Sequence, residues 1–292
     1  MANLEYLFND GSGTTVLETN GGPSLTVLGT PVWGSDYLSL AGLGNYWESP
    51  NGTNHNLNSF SVAVWISFND ISNVQDEIFF NIGNGDLGRS FYLALNPTPP
   101  QAGNANSPYV LVADGVTYTL IATSGGPAVT TGVKYLMCAT YTRVGGAADN
   151  ILTLRYTSDG TTWYSGSTSS ARLFEQNSTY EVRSNFYQSF GNVNANARWY
   201  RTNVFDGLVL NNDQMQLIWD AGSEGSIEGL SFIQSMKTLG NLKILNVSGR
   251  PNLGAGISAP VASVALVNNE NAGETWLKTG AGNTAWNKVS TI

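Results

Sequence analysis

The sequence predicts an all-β protein: a two-sheet antiparallel sandwich with a short helix and a β extension at its C-terminal end. Three observations carry that expectation. In residues 59–68, Phe60, Val62, Val64, Ile66 and Phe68 alternate with Ser61, Ala63, Trp65 and Ser67. Such period-two alternation marks a strand with one face in a core, whereas on a helix the same positions would spread around the whole circumference. Second, short strand-like runs recur along the chain, separated by Gly, Pro, Asn and Asp, as the turns of an all-β fold require. Third, the 292 residues are 41% hydrophobic and only 12% charged, with 33 glycines, whereas an average globular protein is about 25% charged. Disorder would need few aromatics and a high charge density.

Taken in order, residues 4–8 open the chain as a strand, stopped by Asn9, Asp10, Gly11, Ser12 and Gly13. Residues 24–28 and 37–40 are further short strands. Residues 45–54 read as a polar loop carrying two aromatics. Residues 59–68 form the central strand, followed by strands over 77–82 and 90–95. Residues 96–108, with four prolines, form a loop. Strands over 109–113 and 116–122 flank Asp114-Gly115, a strong hairpin signal. Residues 133–142, 151–157 and 162–165 follow, the last two joined across Ser158, Asp159, Gly160 and Thr161. Residues 198–202 and 204–210 close the sandwich. Residues 211–219 read as a short helix, capped by Asn212 or Asp213, with Met215, Ile218 and Trp219 on one face.

Beyond Asp220 the texture changes. Ile227, Leu230, Ile233 and Met236 have helical spacing, closed by Gly240, so residues 227–239 are expected to be helical. Residues 242–247 read as a strand, 248–260 as a Gly/Pro-rich connector, and 261–267 and 275–288 as strands, the latter hairpin-like. The expected organisation is a sandwich over residues 1–222, a helix and connector over 223–260, and a β-hairpin arm over 261–292.

The formal net charge is −8, with no cluster of Lys or Arg. Binding nucleic acid through its phosphates is therefore not expected. The single cysteine, Cys138, lies in an apolar run and reads as a small buried hydrophobe. The absence of an internal disulfide points to assembly in a reducing cytoplasm. The first residues show neither the basic nor the apolar region of a signal peptide. No apolar stretch is long enough to span a bilayer, so no membrane partner is expected.

Four stretches in this order carry a resemblance: residues 4–13; the strand 60–68 with its central Trp65; the strand 135–142 with the following 152–160 and its Asp159-Gly160 turn; and residues 205–219. Together they resemble the concanavalin A-like jelly roll, in its laminin-G-like or pentraxin-like branch, over roughly residues 3–220. The resemblance implies a jelly-roll topology and glycans or proteins as ligands, with calcium in some members. Residues 274–289, Glu-Thr-Trp-Leu-Lys-Thr-Gly-Ala-Gly-Asn-Thr-Ala-Trp-Asn-Lys-Val, are similar to segments at the ends of tailed-bacteriophage virion proteins.

Catalytic chemistry has little to stand on. The only histidine, His55, sits in a polar loop, no serine lies in a nucleophile elbow, and a histidine-based zinc site is excluded by count. The adjacent acids Asp76 and Glu77 would point to opposite faces of a strand, unlike the paired carboxylates of a glycosidase. Gly83, Gly85 and Gly88 have the spacing of a dinucleotide fingerprint but no following helix. The protein is expected not to be an enzyme and to need no cofactor. Calcium is a candidate ion for the loop carboxylates Asp10, Asp86, Asp114, Asp159 and Asp206, which turn geometry explains equally.

Aromatic side chains are the better lead. Tyr46, Trp47, Trp163 and Tyr164 are candidates for binding a glycan or a protein, because sugar rings stack on aromatic faces and interfaces are enriched in them; Trp199 is expected in the core. Trp276 and Trp286 flank a Gly-rich tip too small to bury them alone, and are candidates for an assembly interface. The expected function is a non-enzymatic virion structural protein of capsid-decoration, cement or head-fibre type, assembled in the host cytoplasm, its lectin-like jelly roll projecting. Its partners would be identical subunits, the major capsid protein and glycans. The alternative is a tail adhesin or carbohydrate-binding module recognising host glycans.

Overall fold

The structure, a computed structural model, describes residues 3–42, 44–50, 59–72, 77–82, 91–96, 104–113, 118–123, 125–143, 150–170, 182–184, 195–225, 233–239, 242–247, 264–267, 274–279 and 285–291. The strands are β1 (Asn3–Leu7), β2 (Thr15–Val16), β3 (Leu25–Leu28), β4 (Val32–Trp33), β5 (Leu38–Leu40), β6 (Tyr46–Glu48), β7 (Phe60–Asp70), β8 (Glu77–Ile82), β9 (Phe91–Leu95), β10 (Pro108–Ala113) and β11 (Tyr118–Thr123). There follow β12 (Lys134–Thr142), β13 (Asn150–Thr157), β14 (Tyr164–Ser170), β15 (Val182–Arg183) and β16 (Asn196–Asp206), then the helix α1 (Asn212–Ala221). The remaining strands are β17 (Ile233–Leu239), β18 (Leu242–Val247), β19 (Val264–Val267), β20 (Glu274–Lys278) and β21 (Trp286–Thr291).

Two large antiparallel sheets make the jelly-roll sandwich. One runs β14-β13-β12-β7-β16-β5-β4, and β1 also pairs with β16. The other runs β11-β10-β9-β8-β15-β6-β3-β2. β7 is the expected central strand, between β12 and β16. Its alternate residues Phe60, Val62, Val64, Ile66 and Phe68 belong to the apolar core. Rings from the facing sheets meet there: Phe60 and Phe91 at 4.9 Å, Phe68 and Phe79 at 5.5 Å. The other face of β7 was expected to be the less apolar side, and it too is buried, with Ser61, Ala63, Trp65 and Ser67 all nearly inaccessible. Its hydroxyls are paired: Ser61 donates to the Leu208 carbonyl (2.8 Å), and Ser67 shares a 3.1 Å bond with the Tyr200 hydroxyl.

The chain divides into two compact units at Val209/Leu210. α1 begins the second. Its N-cap is Asn211, one residue before Asn212 and two before Asp213, the expected caps, in a reciprocal box: the Asn211 side chain accepts from the Gln214 N–H (2.9 Å), and the Gln214 side chain accepts from the Asn211 N–H (2.8 Å).

The second unit corrects the helix expected over 227–239. Its described part, Ile233–Leu239, is strand β17, antiparallel to β18, with Leu239 opposite Leu242. Gly240, expected to close the helix, is in the sequence also the first residue of the two-residue hairpin signal Gly240-Asn241. β18 pairs in parallel with β19, and β20 and β21 complete a five-stranded sheet. The C-terminal hairpin is therefore one edge of a sheet rather than a lone arm.

Cys138 is fully buried, as expected, and burial pushes its thiol up to about 12. At pH 8 it is accordingly a thiol, not the reactive thiolate. We predict negligible labelling of the native protein by iodoacetamide at that pH and rapid labelling in denaturant, followed by mass spectrometry. Labelling of the native protein at the denatured rate would refute this placement.

Candidate functional site

The β13–β14 hairpin carries two of the partly accessible aromatic candidates, Trp163 and Tyr164. Tyr156 faces Tyr164 across the register, and the residues between them form a tightly bonded turn. Asp159 Oδ1 accepts N–H bonds from Thr161 (2.8 Å) and Thr162 (2.7 Å), and Thr157 Oγ1 accepts from Gly160 (2.9 Å). Gly160 sits at φ 69°, which an L side chain seldom adopts. This turn presents Trp163, half-buried, with the Arg155 guanidinium 4.8 Å from its ring centroid. Behind it the Tyr164 ring lies 5.2 Å from Tyr156, whose hydroxyl donates to the Pro127 carbonyl at 2.6 Å. A Cβ on Gly126 would come within 2.4 Å of that hydroxyl, so the backbone approach needs glycine. The result is a partly accessible indole on a preorganised loop, the arrangement that a sugar ring or a protein side chain can stack on with little ordering cost.

The Asp159 bonds hold its carboxyl below the usual carboxylate range, the backbone N–H groups of Thr162 and Thr161 being the main cause. Because the folded value is depressed, the turn's stabilisation is present above the ordinary carboxylate pKa and fades as pH falls through the folded value. Amide resonances of Thr161 and Thr162 are expected to be constant from pH 7 to 5 and to move together in stronger acid. Asp159→Ala should abolish that titration; its persistence would assign it to another group.

The other candidates separate. Trp47 is fully buried in the core, 5.6 Å from the Phe8 ring, because residues 46–48 form strand β6 rather than an exposed loop. It offers no surface to a ligand, which corrects that assignment. Tyr46 stays half-buried but belongs to the other sheet from Trp163. Trp276 and Trp286 are also buried, at 6% and 3% exposure, on one face of the C-terminal sheet. Trp276 lies opposite Ala265, and the Lys278 Nζ is 5.3 Å from the Trp286 ring centroid. A hairpin alone could not cover two indoles, but this one has three more strands beside it, so neither side chain is an exposed anchor.

Asp10 is exposed, Asp159 is committed to its turn, and burial raises Asp206. Asp86, Asp114, His55 and Asp76 lie outside the described residues. Among the described residues no group of three or more His, Cys, Asp or Glu could hold a metal ion. Two buried carboxylates that do converge are both committed. Glu18 accepts from the N–H groups of Glu5, Asn20 and Gly22. Glu5 accepts from Arg201, Asn203 and Thr19.

One cluster escaped the sequence reading. Ser39, Arg198, Ser67 and Lys134 stand side by side across β5, β16, β7 and β12. Tyr37 and Tyr200 join them, their rings 5.8 Å apart. The four residues of the row are spread over some 160 positions, and only the register brings them together.

No protein-family model matches the chain, and no curated protein matches it. Among solved structures it is similar to the botulinum neurotoxin serotype D binding domain, at 12% identity and a TM-score of 0.53, over 98% of this chain and 68% of that one. It also matches domain 4 of AbnA, a GH43 extracellular arabinanase from Geobacillus stearothermophilus, solved in complex with arabinotriose (12%, TM-score 0.48, 71% and 93%). A third match is the exoplasmic/lumenal domain of VIP36 in its Ca2+/Man2-bound form (12%, TM-score 0.44, 74% and 92%). At these identities the likeness is one of fold alone, a two-sheet antiparallel β-sandwich.

Proposed function

We propose that this chain is a non-enzymatic virion surface protein of a tailed bacteriophage, of capsid-decoration or head-fibre type, its lectin-like jelly roll projecting and its C-terminal unit engaging identical subunits and the major capsid protein. The observation that carries the reading is the pairing of a sandwich with a second compact unit whose last hairpin, β20–β21, spans the segment similar to the ends of phage virion proteins. Buried Trp276 and Trp286 make that hairpin part of a packed sheet, so the docking surface would be the outward side chains of the same strands, such as Leu277 and Asn287, both exposed. Mass spectrometry of purified particles of the phage that encodes the chain tests this. The chain should be present at a fixed stoichiometry to the capsid protein, and particles lacking it would overturn the assignment.

A second reading, a tail adhesin or carbohydrate-binding module, is favoured by a separate observation, the half-exposed Trp163 on its preorganised hairpin. A glycan array probed with the full chain is expected to show binding that Trp163→Ala reduces about tenfold or more, the loss of a stacked aromatic contact. Unchanged binding by that variant would remove Trp163 from the site.

A further inference from the structure

We infer that the outer face of the β5–β16–β7–β12 sheet holds a second binding site, for the carboxylate of an acidic sugar residue, with Arg198 as its anchor. The inference rests on the glycan reading of the jelly roll, but not on Trp163. Arg198 is opposite Ser39 on one side and Ser67 on the other, and Ser67 is opposite Lys134. Paired residues share a face, so these four form one transverse row, with neighbouring strands about 4.8 Å apart. Lys134 is already engaged: its Nζ is 3.4 Å from Asp36 Oδ2 and 3.7 Å from the Tyr200 ring centroid. Arg198 is not engaged in that way. Its guanidinium lies 4.8 Å from the Tyr37 ring centroid, its Nε is buried without a hydrogen-bond partner, and among the described residues it has no carboxylate partner. The nearby acid Asp70 turns to the Ser72 N–H.

A guanidinium is a planar fork of N–H groups, the geometry that binds a carboxylate through two parallel bonds. The Arg198 side chain is partly exposed, so a ligand can reach it. The surroundings suit a hydroxyl-rich ligand rather than an apolar one. Ser39 lies opposite Arg198 and Asn196 two residues before it on the same strand, and the Asn69 amide links them, donating to Ser39 Oγ (3.2 Å) and Asn196 Oδ1 (3.1 Å). In a protein with 13 Lys and Arg against 21 Asp and Glu, a cation without an acid partner beside such a rim is a specific feature rather than part of a general positive field.

The test titrates the full chain with a trigalacturonate oligosaccharide, with the neutral trisaccharide maltotriose and with a tri-glutamate peptide, by isothermal calorimetry at low and moderate salt. Trigalacturonate is expected to bind, weakening with salt. Arg198→Gln should lower that affinity about tenfold, the scale of a lost charged hydrogen bond, Arg198→Lys should fall between, and Trp163→Ala should leave it unchanged. Tyr37→Phe, which keeps the ring beneath the guanidinium, guards against a folding defect and should retain the acid preference. Equal binding of trigalacturonate by wild type and Arg198→Gln, or no binding of it at all, overturns the site. Tri-glutamate binding in place of trigalacturonate overturns the sugar assignment. If neutral glycans still bind through Trp163 while trigalacturonate does not, this inference fails and the glycan reading stands.

Discussion

Trp199→Ala is expected to destabilise the sandwich by about 3–5 kcal/mol, the range for removing a large buried aromatic. Trp199 is fully buried in β16, within the apolar core between the sheets. Its indole also joins the two sheets by a directed bond, Nε1 donating to the Phe79 carbonyl at 3.0 Å. Phe79 is the extra residue of an irregularity in the β8–β9 ladder, between Ile78 opposite Ala94 and Phe80 opposite Leu93. A ladder interrupted there needs another donor for a buried carbonyl, and the indole of the facing sheet supplies one. Trp199→Phe separates the two contributions. It keeps most of the apolar volume and removes the donor, so its cost should be smaller, about 1–3 kcal/mol for the unsatisfied carbonyl, plus that of the smaller ring. Denaturant unfolding of both variants, followed by near-ultraviolet circular dichroism, gives the two numbers. A cost below about 1.5 kcal/mol for Trp199→Ala would mean that the sheets are not held together at this point.

Much of this arrangement is legible in the sequence, for a reason that also marks its limits. Alternation reports which face of a strand meets a core, so Phe60 through Phe68 announce β7 and its core face without ambiguity. It fails on very short strands. Tyr46–Glu48 is only three residues long, and flanked by Asn and Pro it reads as a loop, which put Trp47 on the surface although its ring is in the core. Alternation also loses to a coincidental period: Ile233 and Met236 have helical spacing, yet the pairing of β17 with β18 decides their conformation. Residues brought together across strands are the least legible. Arg198 and Lys134 are neighbours only because β7 stands between β16 and β12, and no local pattern encodes that. The Trp163 hairpin was more accessible to reading, since its Asp159-Gly160 turn and aromatic pair are contiguous in the chain.

Arg201→Ala is expected to be comparably costly, about 3–5 kcal/mol, because it breaks a buried ion pair and leaves one charge uncompensated. The Arg201 side chain is fully buried, pairs with Glu5 and donates from Nε to Asn203 Oδ1 at 2.9 Å. Thr19 Oγ1 donates to the other Glu5 oxygen at 2.6 Å. Burial lowers the Arg201 pKa, against the opposing pull of Glu5. Desolvation thus offsets part of the attraction between the two charges, and the single variants should overstate the pair's net worth. Replacing both partners, as Glu5→Leu with Arg201→Met, should recover most of the loss, since apolar residues of similar volume carry no desolvation cost. What the double variant is expected to lose is register. β1 pairs with β16 through Glu5 opposite Asn203 and Leu7 opposite Arg201, and a slip of one residue would turn Glu5 towards the core and Tyr6 away from it. The charge pair forbids that slip, whereas two apolar residues would tolerate it. Hydrogen exchange of the β1 amides distinguishes the two roles. Faster exchange confined to β1, with overall stability preserved, identifies the pair as the element that fixes the first strand. Unchanged exchange in a stable double variant would leave register to the core residues Leu4, Tyr6 and Phe8 alone.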